Sequence, residues 1–202
     1  MRIALAALAL LTAAAAPPPK PPAPPSPTVR VALTTAEGRI VLELEREKAP
    51  ITVGNFLRYV DQRRFDGVAC YRASKVPGAP DKGFLQCGTQ NDPKRTLPKI
   101  AHEPTSQTGL KHLEGTISMA RLAPGTAQGD WIITLSPLPY LDANPAAPGD
   151  NAGNAAFGRV IEGIEVVRRI HAGPTGADAK NPVMKGEMLS PPVRILAARR
   201  VP

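Results

Sequence analysis

The chain has 202 residues, enough for one domain with a full core and short for two. Its hydrophobic content of 43% and charged content of 21% are ordinary for a globular protein. The net charge of +8 would suit an anionic partner, but Lys and Arg are scattered in pairs such as Arg63-Arg64, Arg168-Arg169 and Arg199-Arg200. Aromatics at 4% leave no base-stacking platform, so no nucleic-acid partner is expected.

Met1–Ala16 carries one early cation, Arg2, then the apolar run Ile3–Leu11 and the small-residue stretch Ala13–Ala16. This is the layout of a secretory signal peptide, with a run too short for a stable membrane anchor. The mature chain is therefore expected to be periplasmic or secreted, with no membrane span. Pro17–Pro27 holds eight of the 24 prolines and reads as an extended polyproline II linker. Export permits a disulfide. The two cysteines, Cys70 and Cys87, lie on apolar runs that could pair as neighbouring strands, and sixteen residues separate them. A bridge and two free buried thiols both remain open at this level.

In the folded region, Val29–Thr35 and Arg39–Leu44 are rich in β-branched residues around Ala36-Glu37-Gly38 and predict a hairpin. Pro50 opens a helix with Thr52 as an early cap and Val53, Phe56, Leu57 and Val60 as its apolar face. Two short strands follow, Val68–Tyr71 and Phe84–Cys87, joined by a Pro/Gly-bearing connector. Arg72 sits at the rim of this apolar surface and, taken by itself, reads as a solvent-facing strand residue. Asn91–Pro104 reads as loop. His102, His112 and His171 have no partners at ligand spacing and read as surface or hydrogen-bonded residues, so no metal site is expected.

Thr116–Ala120 and Trp131–Leu135 read as strands, Ala143–Gly153 as a surface loop and Ala155–Val160 as another strand. Ile161–His171 is predicted to be a helix with Ile161, Ile164, Val167 and Ile170 buried, ended by Gly173-Pro174, and Val193–Val201 a final strand. Many antiparallel strands with one early and one late helix predict a closed antiparallel barrel with helices over its ends, because closure removes unpaired edges.

Several ordered motifs then carry a family resemblance: Ala49-Pro50-Ile51-Thr52-Val53 with Asn55-Phe56, Phe65-Asp66-Gly67, Tyr71-Arg72, Gln86 before Gly88, Gly115-Thr116-Ile117-Ser118-Met119-Ala120, and Phe157-Gly158-Arg159-Val160 before Gly163. In this order and spacing the chain resembles the cyclophilins, the barrel-type peptidyl-prolyl cis–trans isomerases. The resemblance implies an eight-stranded antiparallel barrel capped by two helices over residues 28–202. It also implies an X-Pro-binding groove on the outer face of the barrel, and neither metal nor organic cofactor. Arg72 matches the family's catalytic arginine.

The matching groove positions are Phe84, Gln86, Met119, Ala120, Arg121, Asp130, Ile132, Tyr140, Leu141 and Asn154. The resemblance has departures. Arg121 stands where the family usually has asparagine, Asp130 where it has glutamine and Ile132 where it has phenylalanine. Tyr140 replaces the tryptophan linked to cyclosporin binding, and Tyr71 replaces a histidine. Arg121 and Asp130 add opposite charges that could pair. Together these departures imply reduced activity and an altered substrate preference. Expected partners are proline-containing segments of unfolded or folding proteins, bound by a monomer. Two other readings stand beside this one. One is a non-catalytic cyclophilin-like module that binds proline-containing segments as a chaperone or assembly factor. The other is an unrelated barrel with a hollow, ligand-binding interior.

Overall fold

The computed structural model describes residues 27–202 apart from 177, 178 and 180. The expected signal peptide and all but the last residue of the Pro-rich linker lie outside the described residues. Thr28–Thr35 (β1) pairs antiparallel with Gly38–Glu45 (β2), from Thr28↔Glu45 to Thr35↔Gly38, so only Ala36-Glu37 forms the turn. Alternation then sends Val31, Leu33, Ile40, Leu42 and Leu44 into the core.

Pro50–Asp61 (α1) follows directly, with Val53, Phe56, Leu57 and Val60 buried as the spacing predicts. Thr52 is not its cap. No side chain caps the helix at Ala49, and the buried carboxylate of Glu103 takes that part from across the chain. Glu103 accepts from Ile51 N at 3.1 Å, Thr52 N at 2.7 Å and the Thr52 hydroxyl at 2.6 Å. Three donors of the first turn are thereby satisfied by an anion placed at the positive end of the helix dipole.

The remaining elements are Ala69–Val76 (β3), Ala79–Gly88 (β4), the single turn Thr105–Thr108 (α2), Thr116–Met119 (β5), Asp130–Thr134 (β6), Ala156–Glu162 (β7), Ile164–His171 (α3), Thr175–Gly176 (β8) and Met188–Val201 (β9). The strands run β1-β2-β7-β5-β6-β4-β3-β9 around the sheet, and β9 pairs back onto β1. This is a closed eight-stranded antiparallel barrel, as expected, with β8 a two-residue attachment to β9. Trp131, Phe157, Ile117, Met119, Leu85 and Ile133 fill the interior, so it is packed rather than hollow. Phe56 of α1 closes over this core, its ring 4.9 Å from Phe65 and 5.3 Å from Phe157.

The second capping helix starts later than its apolar spacing suggests. Ile161 and Glu162 still belong to β7, and α3 begins only after Gly163. Gly163 has φ +84°, and a Cβ there would sit 2.2 Å from Arg39 O. That close approach ends the strand and turns the chain into the helix. The buried face is accordingly Val166, Val167, Ile170 and His171 rather than one that includes Ile161. β9 also starts five residues earlier than Val193. Pro191 and Pro192, which lack donors, fall where the β3–β9 ladder is interrupted between Cys70↔Val193 and Arg72↔Met188. Among the described residues no helix is long and apolar enough to cross a membrane.

Candidate functional site

A bulge in β3 aims the site. Cys70 faces Cys87 across the β3–β4 ladder, but Arg72 faces Gln86, so Tyr71 is an extra residue. Cys70 and Ala73, three apart, therefore both join the barrel core, and Tyr71 and Arg72 between them leave it. On β4, Leu85 and Cys87 point inward while Phe84 lies on the outer face. On β6, Trp131 and Ile133 point inward and Ile132 outward. Gln86 pairs with Ile132 across β4 and β6, so Arg72, Gln86 and Ile132 lie side by side on three adjacent strands. The connector between the two sequence runs is mostly strand. β3 extends to Val76, β4 begins at Ala79, and three residues bulge between Lys75↔Gly83 and Val76↔Ala79. Cys70 and Cys87 are joined by a disulfide inside the barrel.

Arg72 is held on three sides. Its Nε donates to Glu187 Oε2 at 2.6 Å, and its Nη1 donates to Gln86 Oε1 at 3.0 Å. Its guanidinium carbon lies 5.1 Å from the centre of the Phe84 ring. The Arg72 side chain is only 13% exposed. Beside it, Phe84, Ile132 and Leu138 form a small apolar cluster separate from the core, with Val76, Ala120 and Leu141 against it. A fixed cation beside a greasy wall is suited to gripping an apolar ring and donating a hydrogen bond at its edge.

The other candidates are placed unequally. Ala120 and Leu141 line the cluster. Tyr140, on a short helical turn, is 67% exposed and lies within electrostatic reach of Arg72 and Glu187. Partial burial raises its phenol pKa, while Arg72 opposes and Glu187 adds to the shift. Met119 is not in the groove. It faces Trp131 across the β5–β6 ladder and its side chain belongs to the core, because parity turns it inward. Only its backbone is used from outside: the carbonyl accepts from Asn154 Nδ2 at 2.9 Å and the N–H donates to Ala155 O at 3.0 Å. Asn154 thus ties the strand to the segment after the long loop, and its own N–H donates to Leu141 O.

Arg121 and Asp130 do not pair. Arg121 forks onto Asp150 at 2.6 and 2.9 Å and donates to Gly153 O, pinning the 143–153 loop. Asp130 accepts from Tyr71 Oη at 3.2 Å and from Gln90 N at 2.9 Å. Burial raises the Asp130 pKa, and these donors oppose the shift. Burial and the Asp130 carboxylate together push the Tyr71 phenol well above its ordinary range.

His112 is buried and hydrogen-bonded. Its Nδ1 lies 2.7 Å from Asp142 Oδ1 and its Nε2 2.9 Å from the Ser118 hydroxyl. The arrangement resembles a nucleophilic triad, but Ser118 is wholly buried, so no substrate carbonyl can reach it. A separate cavity of about 590 Å³, lined by Gly67, Thr89, Arg95 and Arg194 among others, contains none of the groove residues.

Sequence reasoning missed Glu187, Leu138 and Val76. Leu138 sits in a Pro-flanked loop with no periodicity to place it. Glu187 lies 115 positions from Arg72. A lone acid before a strand has no signature that distinguishes it from a solvated residue.

Residues 30–199 match the family described as cyclophilin type peptidyl-prolyl cis-trans isomerase. The chain is 34% identical over 146 residues to peptidyl-prolyl cis-trans isomerase A of Dickeya dadantii, covering 71% of each. It is 36% identical over 148 residues to a peptidyl-prolyl cis-trans isomerase of Streptomyces antibioticus, covering 73% of this chain and 86% of the other. The fold matches a crystal structure of a Cryptosporidium parvum cyclophilin type isomerase with a TM-score of 0.67 at 19% identity, over 87% of this chain and 98% of that one. With the motif order, the closed barrel and the sequence matches in agreement, this chain belongs to the cyclophilin-type peptidyl-prolyl cis–trans isomerases.

Proposed function

We propose that this protein accelerates rotation about X-Pro bonds in exported proteins as they fold, with Arg72 as the donor that stabilises the twisted state. An X-Pro bond resists rotation because the nitrogen lone pair is delocalised into the carbonyl, giving a barrier of about 18–20 kcal/mol. In the perpendicular state that lone pair is localised on the prolyl nitrogen. A guanidinium donating to it binds the twisted state more tightly than either planar state, which is what acceleration requires. Arginine never loses its proton in the working range, so the donor is always armed. The apolar cluster of Phe84, Ile132 and Leu138 is suited to holding the proline ring, and its dryness strengthens the hydrogen bond. No bond breaks, so neither nucleophile nor acid–base pair is needed.

The carrying observation is the Arg72 guanidinium, fixed by Glu187 and Gln86 against the Phe84 ring at the edge of that cluster. The test is exchange NMR or a protease-coupled assay on an X-Pro peptide. Arg72→Ala, with the fold intact, is expected to lose about 10²–10³ of kcat/KM, the scale of removing one preorganised transition-state donor. Wild-type rates in Arg72→Ala would defeat this role. Export to the periplasm or outside the cell rests on the Met1–Ala16 pattern, and fusing this segment to an export-dependent reporter tests it. The domain works as a monomer on proline-containing segments, and sedimentation of the mature chain tests that state.

A further inference from the structure

We infer that Glu187 is a positioning residue for Arg72: it locks the guanidinium so that one edge faces the substrate, and its loss slows isomerisation without removing any substrate contact. This rests on the Arg72 reading above. Glu187 lies just before β9, and its backbone is fixed against β3, because Ala73 N donates to Glu187 O at 2.9 Å. The carboxylate is fixed in turn. Oε1 accepts from the Ser74 hydroxyl at 2.9 Å and Oε2 accepts from Arg72 Nε at 2.6 Å. The two contacts come from β3 residues two apart, so the carboxylate bridges one face of the strand.

The donors of Arg72 are thereby divided. Nε is taken by Glu187 and Nη1 by Gln86, and the π face lies over Phe84. Among the described residues, Nη2 has no protein acceptor. A free arginine samples many rotamers, and one held at Nε, Nη1 and its face has lost that freedom before substrate arrives. Preorganisation of this kind raises rate by presenting the donor in the reactive geometry. The negative charge also weakens the cation's field, so orientation and charge oppose each other. The guanidinium works at hydrogen-bond distance, where a misplaced donor forfeits the interaction entirely while a neighbouring partly solvated carboxylate only attenuates it. Orientation therefore outweighs charge.

The experiment compares kcat/KM for wild type, Glu187→Ala, Glu187→Gln and Arg72→Ala on one X-Pro peptide, and records the Arg72 Nε–Hε resonance, identified by its loss in Arg72→Ala. Glu187→Ala is expected to lower kcat/KM about tenfold and to move the Hε resonance to the position of a solvent-exposed arginine. Glu187→Gln keeps an oxygen acceptor for Nε and is expected to retain at least about a third of the wild-type rate. With Arg72→Ala slow, an unchanged or faster Glu187→Ala overturns the positioning role. A slower Glu187→Ala with the Arg72 Hε resonance unmoved overturns it too, because the loss then arises elsewhere. Arg72→Ala at the wild-type rate instead defeats the catalytic reading on which the inference rests.

Discussion

Reducing the Cys70–Cys87 disulfide is expected to cost stability and leave catalysis nearly intact. The bridge closes a loop of sequence separation 17. The chain-entropy relation assigns such a loop about 3 kcal/mol at 25 °C. For a domain of this size each kcal/mol moves Tm by roughly 2–4 °C, so the reduced protein should melt about 6–12 °C lower. The groove should survive, because both cysteines lie on inner strands of the local sheet. Cys70 is also paired with Val193 on β9, and Cys87 with Trp131 on β6, so the ladder holds the β3–β4 register without the bridge. Since both cysteines are buried, the protein is reduced in denaturant and refolded with reductant present. This avoids double alanine variants, whose lost sulfurs would add a cavity cost of their own. Melting is followed by circular dichroism and isomerisation by exchange NMR, with kcat/KM expected within about twofold of the oxidised form, a difference of about 0.4 kcal/mol. A Tm shift under about 3 °C would refute the loop-closure reasoning. A folded, reduced protein with little activity would refute the claim that the ladder alone holds Arg72 and Gln86 in register.

Glu103→Ala should destabilise the domain by about 2–3 kcal/mol in denaturant titrations, since it strands three donors of the first turn of α1. An effect under about 0.5 kcal/mol would mean water replaces the carboxylate. The pKa of both His112 and His171 is lowered, chiefly by burial. Each therefore binds fewer protons folded than unfolded, so its contribution is complete above the ordinary histidine value of 6.5 and is lost as pH falls below it. Thermal melts from pH 8 to 5 should show Tm falling below about 6.5, with a smaller fall in His112→Asn, and a flat profile would contradict the burial argument. Phe84→Ala removes both the ring beneath the guanidinium and part of the apolar wall, and should lower kcat/KM at least about tenfold while leaving the barrel folded. Unchanged kcat/KM there would place the proline elsewhere.

The barrel was legible because alternation and turn chemistry are local. Val29–Thr35 against Arg39–Leu44 needed only β-branched residues around Ala36-Glu37-Gly38, and the structure pairs them residue for residue, with Gly38 joining the strand. The apolar face of α1 was legible for the same reason. The misreadings arose where a distant backbone decides. Ile161 and Ile164 share helical spacing, but the approach of Arg39 to Gly163 puts them in different elements. Thr52 stands where a cap belongs, but Glu103 supplies the acceptor from 51 positions away. Met119 follows the family motif, but strand parity sends it to the core. The charged pair suggested by Arg121 and Asp130 dissolved because each found a nearer partner, Asp150 for one and Tyr71 for the other.

A filled interior constrains where this fold can work. With Trp131, Phe157 and Met119 occupying the barrel, a ligand can bind only outside it, and an outward strand face is ordinarily polar. Here Phe84 and Ile132 face outward and are nonetheless almost fully buried, because Leu138 comes over them from the segment after β6. The apolar patch therefore belongs to the strands and to that segment jointly. The β3 bulge completes it: if the strand ran through Cys70, Tyr71 and Arg72 with regular alternation, Arg72 would turn toward the core with Cys70, where an unpaired guanidinium would be prohibitively desolvated. The bulge that absorbs Tyr71 thus keeps the cation at the edge of the apolar patch. Two acceptors from different elements, Gln86 on β4 and Glu187 before β9, then fix where its free edge points. The groove is thus a property of the register between β3, β4 and β9, which is why replacing an acceptor of Arg72 should change rate more than stability.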